Sequence, residues 1–134
     1  MTTKTEITLL PGEPIMLNRP DPATFSAAKD VPVDNERMLQ LLDASGQPLY
    51  LIMDLTNIKV SFSDIVMSMA TLTKSSRAVL RHPNLKQIVV VTTFELFSLA
   101  AKALKQAQYG GLEAQVFPTL DEALAYVRQS IAAG

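Results

Sequence analysis

Leu49-Tyr50-Leu51-Ile52-Met53-Asp54 is the stretch on which the fold of this chain turns. Apolar side chains run without a polar break into a terminal carboxylate. A half-solvated strand alternates, whereas a continuous run of this length belongs to a strand covered on both faces, as in a parallel sheet. Ile88-Val89-Val90-Val91 repeats the pattern with β-branched residues, and Ala114-Gln115-Val116-Phe117 is a third, shorter candidate. Helix-start signals follow each run. Ser61-Phe62-Ser63-Asp64 has the form of a capping box and predicts a helix from about Phe62 to Leu80, with Ile65, Met69, Leu72, Ser76 and Val79 on one face and Arg77 and Arg81 near its end. Thr92 and Glu95 predict a second helix to about Tyr109, stopped by Gly110-Gly111. Thr119 and Glu122 predict a third, with Leu120, Ala123, Leu124, Val127 and Ile131 on its apolar face. Strand and helix thus alternate from residue 47 onward. That order implies an α/β fold with parallel strands, right-handed crossovers and helices packed on the sheet.

Working back toward the N-terminus, the pattern weakens. Ile7–Leu10 and Ile15–Leu17 flank Pro11-Gly12-Glu13-Pro14, which predicts an antiparallel hairpin at one side of the sheet. Arg19–Pro32 contains Pro20, Pro22 and Pro32 and is expected to be irregular, either a lid or a disguised helix. Asp34 can cap a helix to about Ser45, with Met38, Leu41 and Leu42 as its stripe and Gly46 as its stop. Residues 1–134 are expected to form one domain, in which 1–46 supply the hairpin, the Pro-rich segment and a helix.

Composition removes several kinds of function. Twelve Lys and Arg against thirteen Asp and Glu give a net charge of −1, which is no footprint for nucleic acid. The chain has no Cys and one His, which excludes thiolate metal sites, a Cys nucleophile and a multi-histidine metal site. Phosphate-binding glycine loops are absent from the sequence. The polar start Met1–Glu6 and the Pro-Gly break after Leu10 leave no signal-peptide core, and no run approaches the roughly 20 residues of a membrane span. A cytoplasmic protein without integral membrane segment or cofactor is therefore expected.

In α/β sheets the ligand end is the carboxyl end of the parallel strands. Asp54, Thr92 and Thr93 fall there. Asp54 stands where receiver domains carry a phosphoacceptor, yet the acidic pair and the lysine that serve such a site are missing, so hydrogen bonding to loop amides is the expected role of Asp54. His82 is expected at the surface, and Lys74, Arg77, Arg81, Lys86, Lys102 and Lys105 on a solvated face. Ser61 and Ser63 are candidate caps and candidate phosphorylation sites, since a phosphate is favoured at a helix N-terminus. The helix Phe94–Gln108 is apolar around most of its circumference. Deep packing is one explanation; a partner surface carrying Phe94, Phe97 and Leu99, extended by Met67 of the preceding helix, is the other.

The segment Leu49-Tyr50-Leu51-Ile52-Met53-Asp54-Leu55-Thr56-Asn57-Ile58-Lys59-Val60-Ser61-Phe62-Ser63 resembles the STAS superfamily, and within it the SpoIIAA-like group. There a buried strand ends in Asp-Leu, a short loop with a buried aliphatic follows, and a serine-bearing helix begins. The likeness covers roughly residues 47–131 and is mainly one of architecture. It implies a small mixed sheet with helices mostly on one side, and a mostly non-enzymatic protein. Members of this type bind a partner kinase and are switched by phosphorylation of a serine in the motif Asp-Ser-Ser-Gly-Leu. Phe62-Ser63-Asp64-Ile65 occupies roughly that place. Ser63 is the counterpart of the switch serine, and the flanking acidic residue, second serine and glycine are absent. Related SpoIIAA-like proteins also resemble lipid-binding domains.

The expected function is a non-catalytic, regulatory protein–protein interaction module acting on a protein partner or a second copy of itself. The alternative is a carrier or sensor of a small apolar, lipid-like ligand held beneath Arg19–Pro32. An enzyme would require Asp54 to form a site with Thr92 or Thr93, and no metal ligands or orienting base accompany them.

Overall fold

The computed structural model describes residues 3–74 and 77–134. Its strands are β1 (Glu6–Leu9), β2 (Ile15–Arg19), β3 (Leu49–Asp54), β4 (Leu85–Val91) and β5 (Ala114–Phe117). Its α-helices are α1 (Ala27–Ala44), α2 (Phe62–Thr73), α3 (Glu95–Ala103) and α4 (Leu120–Ala133). The strands form one mixed sheet in the order β1-β2-β3-β4-β5. β1 pairs antiparallel with β2, and every other pairing is parallel. The hairpin is thus where the sequence puts it. The parallel part begins one strand earlier than residue 47, because α1 carries the chain from β2 to a parallel β3.

Both faces of the central strands are covered. On one face Met16, Leu51, Ile88 and Val90 pack against Met38 and Leu42 of α1 and Ala101 of α3, with Met69 and Leu72 of α2 at the margin. On the other, Ile15, Leu17, Tyr50, Ile52, Val89 and Val91 pack against Ala123 and Val127 of α4. Alternate residues of each strand therefore serve separate cores, which is why the runs read as continuously apolar.

The N-terminal third departs most from expectation. α1 begins at Ala27 rather than at Asp34 and takes Pro32 into its second turn. Proline gives up one amide there, toward the carbonyl four residues earlier. The stripe compensates: Ala27, Asp34, Asn35, Met38, Leu39 and Leu42 are all buried. Asp34 is not a cap. Its carboxylate accepts from the hydroxyls of Thr3 (2.6 Å) and Thr5 (2.5 Å) and lies 3.3 Å from Arg37 Nη1. The N-terminal segment is thereby strapped to the helix. Before α1, Asp21 holds a turn by accepting from the Ala23 amide and the Thr24 hydroxyl.

α2 stops at Thr73, short of the expected Leu80. Asn35 is the cause. Its Nδ2 donates to the Arg77 carbonyl (2.7 Å) and its Oδ1 accepts from the Val79 amide (2.9 Å), which commits that backbone to α1. Val79–Arg81 instead forms one 3-10 turn. Ser76, expected on the apolar face, lies outside the described residues. Arg81 still serves the end of α2, since its Nε donates to the Thr73 carbonyl. Arg77 pairs with Glu36 (2.8 Å), which raises its pKa, through the hydrogen bond first and the charge second. At the opposite side, Arg128 of α4 forks onto Glu13 of the β1–β2 turn at 2.7 and 3.1 Å. That hydrogen bond holds the Glu13 carboxyl below its ordinary range.

α3 is also shorter than expected. It ends at Ala103, and Ala107–Tyr109 is a separate 3-10 turn closed by Gly110 at φ 102°. A positive φ of that kind is where glycine is needed.

Removing the Asp34 acceptor strands the buried Thr5 hydroxyl and frees the N-terminal strap. Asp34→Ala is expected to lower stability by about 1–3 kcal/mol, seen as a lower denaturation midpoint in urea with an unchanged slope.

Candidate functional site

The carboxyl ends of β3, β4 and β5 lie side by side, and of the residues placed there by the sequence Asp54 and Thr92 have structural partners. Asp54 is buried. Its Oδ1 accepts from the Thr56 amide (3.1 Å) and hydroxyl, and its Oδ2 lies 3.4 Å from Arg19 Nε. The carboxylate therefore shapes the loop that follows, in which Asn57 adopts φ 62°. Thr92 is buried, its amide donates to the Phe117 carbonyl, and its hydroxyl accepts from the Phe94 amide (2.9 Å). It makes no capping box with Glu95. Phe94 stands at the N-cap instead, and Thr92 is held beside the end of β5 by its amide bond to the Phe117 carbonyl. Thr93 is exposed. Among the described residues, no three His, Cys, Asp or Glu side chains gather as a metal site would need. His82 is paired with Asp43, 2.7 Å away, and accepts from the Asn84 amide.

The start of α2 is built as the sequence indicates. The Ser61 hydroxyl accepts from the Asp64 amide (3.1 Å) and the Asp64 carboxylate accepts from the Ser61 amide (3.3 Å), a reciprocal capping box. Ser63 is exposed, and its hydroxyl lies 3.1 Å from that of Ser61. The start of α4 is capped more simply. Thr119 accepts from the Glu122 amide and gives its hydroxyl proton to the Glu122 carboxylate.

The expected apolar surface divides in two. Leu99 is 52% exposed and Met67 is 42% exposed. Phe94 and Phe97 are half-buried and meet edge to face, with centroids 5.3 Å apart. Phe97 belongs to the interior side of α3. What the sequence reading missed is the outer face of α2. Phe62 is 68% exposed and Val66 is 44% exposed, with Ala70 one further turn along. Their spacing of four was the available signal, hidden because Phe62 reads as part of the cap.

Beneath α2 and α3 lies an apolar cavity of about 100 Å³. Leu55, Ile88 and Val90 from below and Ala101 of α3 from above form its buried lining. Phe25 and Val31 close it from the segment Arg19–Pro32 and the start of α1. Its lining is apolar apart from Ser68, so the space is left between helices and sheet without a polar side chain to hold water in it.

No helix among the described residues is long and apolar enough to cross a membrane. Comparison with protein-family models, curated proteins and solved structures returns no match.

The two serines are separable. Ser61→Ala is expected to cost about 0.5–2 kcal/mol through loss of the cap. Ser63→Ala, which removes only an exposed hydroxyl contact, is expected to stay within about 0.5 kcal/mol. Urea denaturation of the two variants side by side checks the order.

Proposed function

We propose that the chain is a non-catalytic, regulatory interaction module of the STAS, SpoIIAA-like type, which works in the cytoplasm and docks a protein partner or a second copy of itself through α2 and α3. The observation that carries this is the placing of exposed large apolar residues. Among the described residues these are Leu9, Phe62, Val66, Met67 and Leu99, and all but Leu9 lie on α2 or α3. Single exposed apolar residues are ordinary, whereas several on adjoining helices mark a surface kept for a partner. α2 has an amphipathic inside, made of Ile65, Met69 and Leu72, and a second apolar row outside, made of Phe62, Val66 and Ala70. Folding alone uses only the first.

Ser63 lies at the head of that outer row. It is the residue through which phosphorylation would act. A phosphate there would meet the free amides of the first turn and place about two negative charges beside Phe62. The capping box stays with Ser61, so modification of Ser63 changes the surface more than the fold.

Phe62→Glu and Leu99→Glu test the surface without touching the interior. Each is expected to reduce association at least tenfold, read by light scattering for self-association and by tagged pull-down for a stoichiometric partner. Their denaturation midpoints should stay within about 0.5 kcal/mol of the parent. A monomeric parent whose retained partners are kept equally by both variants would overturn the proposal. Phe97→Glu is the contrasting control: it should lower the denaturation midpoint well below that of either variant, because Phe97 packs at the rim of the cavity.

A further inference from the structure

The cavity under α2 and α3 is not used by a docking surface on their outer faces. We propose that it is a binding site for a small hydrocarbon group, a benzene-sized ring or the last few carbons of an alkyl chain, with any polar part of the ligand left outside. The lining fixes the chemistry. Its floor is aliphatic, its rim carries Phe25, Val60, Met69 and Phe97, and Ser68 is the one lining residue with a polar side chain. A trapped water needs two to four polar partners, which this wall does not provide. No charged side chain lines the space, so a ligand is selected by shape and apolar area rather than by an ion pair.

Size narrows the choice further. At about 100 Å³ the cavity is smaller than the roughly 150 Å³ engineered apolar cavity that stays dry and takes up benzene. One ring or a short run of methylenes fills it. Access follows from burial. The floor residues are sealed from solvent, while Phe25, Val31, Val60, Met69 and Phe97 are only half-buried, so the cavity reaches the surface at that rim. Met53 and Met69 both line it, and unbranched methionine side chains adapt to either a flat or a linear guest.

The methionines also supply the test. The full chain carrying ¹³C-methyl methionine is titrated with benzene and, separately, with 1-hexanol. Saturable shifts are expected at the Met53 and Met69 methyls. Met67 on the surface, and Met16 and Met38 elsewhere in the same core, should move far less. Saturation by benzene alone identifies a ring site and by hexanol alone a chain site; either supports the proposal. Ala101→Leu, which fills the space from α3, should weaken binding at least tenfold, and Ser68→Leu fills it from α2 if the first variant does not fold. Phe62→Glu should bind as the parent does, which separates this site from the docking surface. Absence of saturable shifts with both probes, or shifts that survive both filled variants, overturns it.

Discussion

The parallel pairing of β3 with β4 is the constraint from which the rest follows. Its register runs from Leu49 against Leu85 to Asp54 against Val91, and Leu51, Ile52, Val89 and Val91 are wholly removed from solvent. A parallel pair cannot be joined by a tight turn, so a crossover helix is obligatory, and that crossover is right-handed in nearly all proteins. The strands step across the sheet in chain order from β2 to β5. Successive crossovers of one hand then place α1, α2 and α3 on the same face. The opposite face receives no crossover at all, and α4, which follows the last strand, is left to cover it.

That division explains where the packing is tight and where it is not. The face under α4 is served by one helix, whose Ala123 and Val127 meet the strand residues directly. The other face must be tiled by three helices of unequal length, one holding a proline near its start and one cut short by the Asn35 bridge. A gap survives between them, bounded by Phe25 and Val31 on one side and Phe97 on the other. The cavity thus comes from a helical layer that does not fully tile its half of the sheet.

How much of this was legible in the sequence depended on how local the signal was. The strands at Leu49 and Ile88 and the box at Ser61–Asp64 are written in neighbouring residues, and they fall where the sequence places them. α1 was obscured because its buried stripe contains Asp34 and Asn35, whose partners Thr3, Thr5 and Val79 lie about thirty to forty residues away. The end of α2 was hidden for the same reason, since the group that breaks it belongs to another helix. For the candidate sites, the loop-shaping role of Asp54 and the exposure of Leu99 and Met67 were readable. The inward turn of Phe97 and the cavity were not, because both arise only when three helices meet. Among the described residues, the Oδ1 of Asn18 in β2 is buried without a hydrogen-bond partner, while its Nδ2 donates to the Met38 sulfur (3.4 Å).

The lone helix on the second face has a consequence for biosynthesis. All five strands precede α4 in the chain, so a ribosome delivers the sheet before it delivers the cover. Until residues 120–133 emerge, Ile15, Leu17, Tyr50, Ile52, Val89 and Val91 lack the helix that covers them in the folded protein. Surfaces of that kind are what chaperones hold and what nascent chains aggregate through. The face that α4 covers is therefore the last part of this fold to close.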